Sequence, residues 1–166
     1  MKKKLLLFIF LLFGYPSFSQ TDSLIKQLAL AKNNSQKINI LTDLGMIYTH
    51  DGKFEKAIES FKKAVVLVKK QGTPAVEASL YNEIGNAEAD MGNNSPAFNA
   101  YQKALKIIPD TALSLKAKIY KNIGAVFLSW KNLNRALYYY QRSLSFAKLA
   151  HDHKTVADCY NNMGTV

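Results

Sequence analysis

Few residues in this 166-residue chain combine the types and spacing that chemistry demands. His151-Asp152-His153, followed by Asp158 and Cys159, gathers imidazole, carboxylate and thiol groups, the donor set of a transition-metal site. The spacing fits no compact ligand motif, and the triplet falls where one helical pattern gives way to the next, so a solvated loop is the favoured reading. Cys159 is flanked by apolar stripe residues and reads as a small core hydrophobe. As the single cysteine it forms no intramolecular disulfide, which leaves stability to packing. Tyr138-Tyr139-Tyr140 offers an aromatic platform, with one of the first two rings exposed as a contact residue. No glycine-rich phosphate loop, nucleophile elbow or paired-carboxylate arrangement is present, and nothing in the sequence supports catalysis, a cofactor or a metal.

What must position any functional side chain is a repeat. Leu41-Thr-Asp-Leu-Gly45, Tyr81-Asn-Glu-Ile-Gly85, Tyr120-Lys-Asn-Ile-Gly124 and Tyr160-Asn-Asn-Met-Gly164 are copies of one phrase, with glycines 40, 39 and 40 residues apart. A fixed period of this size marks a stacked array. From each glycine an offset of 12 reaches Ala57, Ala97 and Ala136, and an offset of 16 reaches Phe61, Tyr101 and Tyr140. Apolar residues between these points recur at three- and four-residue steps, the period of amphipathic helices. Asp51-Gly52, Met91-Gly92-Asn93 and Lys131-Asn132 supply turns between the helices of each pair. Pro96 is tolerable because it falls in a first helical turn.

A glycine inside a helix costs about 0.5–1 kcal/mol relative to alanine, so its repetition needs a packing reason. The expectation is close approach of two backbones, glycine against the alanine of the partner helix, with the aromatic rings filling the volume between successive pairs. The predicted order is a capping helix and connection over 20–36, helix pairs over 37–72, 73–110 and 111–152, and the first helix of a fourth pair over 153–166. Thr21-Asp22-Ser23 supplies the N-cap of the first helix, and Asn33-Asn34-Ser35 ends it.

These residues resemble the tetratricopeptide (TPR) pattern: Leu41, Leu44, Gly45, Tyr48, Ala57, Phe61 and Ala64 in the first copy. The second has Tyr81, Ile84, Gly85, Ala97, Tyr101, Ala104 and a closing Pro109; the third has Tyr120, Ile123, Gly124, Phe127, Ala136, Tyr140 and Ser143. The resemblance implies an all-α, right-handed superhelical solenoid of antiparallel helix pairs, about three and a half repeats long. The period near 40 is longer than the family's 34, Glu88 replaces the usual aromatic, and only Pro109 keeps the closing proline. Such arrays present their first helices along a concave groove that receives a peptide or a partner's helix. The polar residues beside each phrase are expected to line it: Thr42, Met46, Asn82, Asn86, Lys118, Lys121 and Asn161, with Ala125 among them. Asparagines and lysines together suit the amides and carboxylates of an extended peptide. The lysine and asparagine set with which some members grip a chaperone's terminal carboxylate is not reproduced, since Thr42 and Met46 stand in two of its places.

Residues 1–19 read as a secretory signal peptide: Lys2, Lys3 and Lys4, an apolar run from Leu5 to Phe13, and Ser17-Phe18-Ser19 before a cleavage point between Ser19 and Gln20. The expected location is therefore periplasmic or otherwise extracytoplasmic. Removing the three lysines leaves 19 basic and 12 acidic residues, so the formal charge falls from +10 to +7. These cations are scattered along helical faces, so nucleic acid is not the expected partner and a solvated surface is, with attraction to anionic partners second. The fourth phrase carries internal-repeat packing residues, so a longer protein is expected, of which this is the N-terminal piece. Two functions follow: a stand-alone exported adaptor, or the sensor region of a membrane-bound histidine kinase or transcriptional regulator. A glycan-associated assembly factor is a third, resting on location alone, and the oligomeric state stays open.

Overall fold

The computed structural model describes residues 16–166, and all regular structure among them is helical. Most of the expected signal peptide, residues 1–15, lies outside the described residues. Eight helices follow in order: α1 (Pro16–Leu30), α2 (Asn34–His50), α3 (Phe54–Gln71), α4 (Pro74–Asp90), α5 (Asn94–Ile107), α6 (Leu113–Ser129), α7 (Leu133–Leu149) and α8 (His153–Gly164). None is long and apolar enough to cross a membrane.

The N-terminal helix differs from its expected bounds. It starts at Pro16 and runs through Ser19, Gln20 and Thr21-Asp22-Ser23, because neither Gly nor Pro follows Pro16 until Gly45 and nothing forces the backbone out of the helix. Asn34 and Ser35 do not break the chain either. Asn33 is the cap of α2, its side-chain oxygen accepting from the Gln36 N–H at 2.9 Å, so the first repeat begins three residues before Lys37.

Helices pair in sequence, α2 with α3, α4 with α5 and α6 with α7, and each pair stacks on the next. Both helices of a pair reach the core: Ala57, Phe61, Ala64 and Val68 in α3, Ala97 and Ala104 in α5 and Ala136 and Tyr140 in α7 have no exposed surface, and neither do Ala78 and Ala87 in α4 or Ala117 and Ile119 in α6. The close approach is made by a ring rather than by a second backbone, which corrects the glycine–alanine expectation. A Cβ built on Gly45 would collide with the ring of Phe61, one on Gly85 with Tyr101, and one on Gly124 would stand 2.6 Å from Cδ1 and Cε1 of Tyr140. The aromatic side chains thus seat first on the glycine of their own pair. Gly164 has nothing within 4 Å of its Cβ position and is exposed.

The turns between paired helices use the left-handed backbone region, at Gly52 (φ 70°), Gly92 (φ 78°) and, in the third repeat, Lys131 (φ 57°). A side chain there costs about 1 kcal/mol. Lys131→Gly is accordingly expected to raise the melting midpoint, with a gain of up to about 1 kcal/mol in chemical denaturation.

Candidate partner-binding groove

The first helices of three successive repeats bound one cavity of about 670 Å³. α2 contributes Met46 and His50, α4 contributes Glu83, Asn86 and Asp90, and α6 contributes Asn122, Ala125 and Ser129. These positions lie two residues before, one after and five after each phrase glycine, three- and four-residue steps that put them on one face of each helix. The ring of Tyr101 reaches the same cavity from α5.

A closed set of hydrogen bonds forms its floor. The Tyr101 hydroxyl donates to Asn86 Oδ1 at 2.9 Å, and Asn122 Nδ2 donates to both Asn86 Oδ1 (2.8 Å) and Asn82 Oδ1 (3.1 Å). Asn82 Nδ2 and Asn86 Nδ2 each donate to the Glu83 carboxylate at 3.1 Å. Two repeats are joined here by side chains that satisfy one another in a partly dry setting, where an unpaired polar group would be costly.

The residues expected to line the groove are dispersed. Met46, half exposed, and Asn86 border the cavity, as does Ala125. Asn82, expected to line the groove, is only 4% exposed and is instead a buried member of the hydrogen-bonded network beneath it. Thr42 donates to the carbonyl of Ile38 in its own helix at 2.8 Å, and Lys121 pairs with Asp158 of α8, Nζ to Oδ2 2.8 Å. Lys118 and Asn161 are exposed and do not border the cavity. Of the residues following each phrase's first position, Asn82 and Lys121 meet side chains of the next repeat instead of the cavity. Glu83, Asp90 and Asn122 were missed, although they lie three and four residues from the offset that holds Asn86, on the same helix face. The cavity's charged side chains are therefore acidic, Glu83 and Asp90, where lysines were expected.

Tyr140 stands where Tyr101 stands one repeat earlier, but its neighbour in α6 is Ala125 rather than an asparagine. Its hydroxyl is buried with no hydrogen-bond partner, and burial pushes its pKa up to about 12. The two tyrosines should respond oppositely to loss of the hydroxyl. Tyr101→Phe is expected to lower stability by about 1 kcal/mol, and Tyr140→Phe to leave it unchanged or raise it by a similar amount, as read by urea denaturation.

Near the end of the chain, Asp152, Asp158 and Cys159 have partners within the protein. Asp152 caps α8, accepting from the Thr155 N–H at 3.0 Å, the Thr155 hydroxyl at 2.9 Å and the Ser114 hydroxyl at 2.8 Å. The Thr155 N–H first, and then the Ser114 hydroxyl, hold its carboxyl at about 2, below the ordinary 3.8. Cys159 is fully buried and donates to Ser143 Oγ (3.1 Å), which in turn donates to the carbonyl of Ala117 (2.7 Å); burial raises the thiol's pKa. Among the described residues no group of three or more His, Cys, Asp and Glu side chains converges. Because the Asp152 pKa is depressed on folding, its contribution is present above the unfolded value and is lost as pH falls through the folded one. The docking of α8, followed by amide exchange, is expected to weaken between about pH 4 and pH 2 in the native sequence, and the Asp152→Asn chain is expected to lack that step.

Paired helices stacked so that their first members share a concave face define a helical-repeat solenoid, and comparison with known proteins gives its type. Residues 36–110 match the family model described as tetratricopeptide repeat. Outer dynein arm-docking complex subunit 4 of Xenopus laevis is 30% identical over 102 residues, 55% of this chain and 19% of its own length, so the chain spans about a fifth of that relative. The structure of the APC/C hetero-tetramer Cut9-Hcn1 superposes with a TM-score of 0.72 at 19% identity, over 90% of this chain and 26% of that one. The first TPR of Spaghetti (RPAP3) bound to the HSP90 peptide SRMEEVD superposes with a TM-score of 0.61 at 21% identity, over 79% of this chain and 90% of that one. At such identities the structural likeness is one of fold, and the fold is an all-α TPR solenoid.

Proposed function

We propose that this chain is an exported interaction scaffold that holds an extended peptide or a partner's helix in the concave groove. The observation that carries the reading is the 670 Å³ cavity shared by α2, α4 and α6, open to solvent yet floored by a preorganised amide and carboxylate network. A preformed polar floor spares a ligand the cost of ordering the site. Peptide capture by the RPAP3 repeat is a precedent on the same fold. The acidic peptide seen there is a poor match here, because Glu83 and Asp90 favour a segment offering N–H donors or a basic side chain.

A photo-reactive residue at Ala125 tests this in the exporting cell. The expected result is a discrete crosslinked partner that disappears when Asn86→Ala and Asp90→Ala are combined; equal crosslinking from exposed Gln102 on α5 would refute it. Export itself rests on the basic-then-apolar start and on Ser17-Phe18-Ser19. Its test is the mass of the N-terminal peptide, which should begin at Gln20; a peptide retaining Lys4 would sink export with cleavage. The second reading, a sensor region ahead of a kinase or DNA-binding module, is favoured by that same leader followed directly by long TPR units. A membrane span and kinase motifs encoded after Val166 would establish it, and a stop codon after one or two more repeats would remove it.

A further inference from the structure

The back of the array carries a second cleft, and its counterpart one repeat later is filled by the protein itself. In the third repeat the ring of Tyr120 is stacked by Phe146 at 5.5 Å and by Tyr139 at 6.2 Å, with the guanidinium of Arg142 at 5.4 Å and Phe127 stacked on Tyr139 at 5.2 Å. Thirty-nine residues earlier the same positions are Tyr81, Ala100, Lys103 and Glu88, with Ile107 in the place of Phe146. The cation is kept, with Lys103 Nζ 5.8 Å from the centre of the Tyr81 ring, and Lys69 stands 5.9 Å from it. The rings of Tyr139 and Phe127 have no counterpart. In their place is a cavity of about 450 Å³ between α3 and α5, with Val65, Ile84 and Ala100 among its walls and Lys62, Lys69 and Lys103 beside them. It lies on the opposite side of α4 from the groove, since Tyr81, Ile84 and Glu88 are out of phase with Glu83, Asn86 and Asp90 on a 3.6-residue helix.

We propose that this cleft is a second docking site, taking an aromatic side chain of a partner peptide flanked by acidic residues. The aromatic ring would stack on Tyr81 as Tyr139 stacks on Tyr120, completing an arrangement the chain builds unaided one repeat later. Acidic neighbours are selected by the lysines. Lys69 already has Glu77 at 3.6 Å, but among the described residues Lys62 and Lys103 have no carboxylate partner, and the one carboxylate in the cleft, Glu88, accepts from Asn93 at 3.0 Å. The site goes beyond the groove reading and does not depend on it.

The test uses the full chain and the blocked peptide Ac-Glu-Glu-Tyr-Glu-Glu-NH2, followed by methyl NMR of Val65, Val66 and Ile84. Saturable shifts at those methyls are expected, with binding weakened about two- to fivefold by Lys103→Ala. Ala100→Tyr, which supplies the missing ring in cis, should abolish binding. Because Ala100 is nearly buried, Lys103→Glu at an exposed position provides an independent loss that does not depend on refolding the cleft. Equal binding of the peptide with alanine in place of tyrosine would overturn the proposal, as would undiminished binding to Lys103→Glu. Shifts confined to the methyls of Met46 and Ala125 would also overturn it, and would leave the groove reading standing.

Discussion

Gly85→Ala is expected to destabilise the protein by about 2 kcal/mol, although alanine is the better helix former by up to about 1 kcal/mol. The new methyl meets the ring of Tyr101, which is 2% exposed and tied through its hydroxyl to Asn86, so the ring cannot swing away without breaking that bond. Overpacking of this kind costs about 1–3 kcal/mol, and the fixed ring places it at the upper end. Gly45→Ala against the fully buried Phe61 should behave alike. Gly164→Ala, in the same phrase but with open space around it, should show the opposite sign, a gain of about 0.5–1 kcal/mol. Thermal melts of the three variants decide the matter, with a midpoint about 4–8 °C lower for the first two. Combining Gly45→Ala with Phe61→Leu should recover part of the loss, a coupling that a double-mutant cycle measures. Equal effects at Gly85 and Gly164 would show that helix propensity, not the ring, decides.

Asn122→Ala is expected to cost a further sizeable amount, about 2 kcal/mol, although its side chain is only half-buried. Its amide is the one donor reaching both Asn82 and Asn86, so its removal leaves two acceptors short in the floor of the groove, and one of them belongs to a buried side chain. Lys118→Ala and Asn161→Ala, at exposed positions outside the network, should stay within about 0.5 kcal/mol of the native protein. Urea denaturation compares the three. Hydrogen exchange should also show α4 and α6 losing protection together in Asn122→Ala; a loss confined to α6 would mean that the amide does not tie the two repeats.

The helix pairs were legible because the phrase recurs with its glycine, its alanine at 12 and its aromatic at 16. Recurrence names the residues that pack but not which of two touches the glycine, and both offsets recur equally. Only the three-dimensional path of α3, α5 and α7 sets the ring, not the alanine, over the gap. The groove was harder. Asn82 and Asn122 differ by one place within the phrase yet meet across 3.1 Å, because the phase of α6 relative to α4 is set by stacking, which no single helix encodes. Lys121 looked like a ligand for an anion; its anion, Asp158, lies 37 residues further on in a helix whose position the phrase implies but whose face it does not. The lost aromatic at Glu88 was visible in the sequence, whereas the cleft it opens depended on Ala100 lying beside it.

The glycine–ring couples also constrain how such a chain can change by descent. Apart from exchange of one ring for another, neither partner has a permissive single substitution: any side chain on the glycine strikes the ring, and a smaller group for the ring leaves a void in the driest part of the pair. The two must be exchanged together or through a weakened intermediate. Each repeat is therefore expected to inherit its couple as a unit while its groove residues drift.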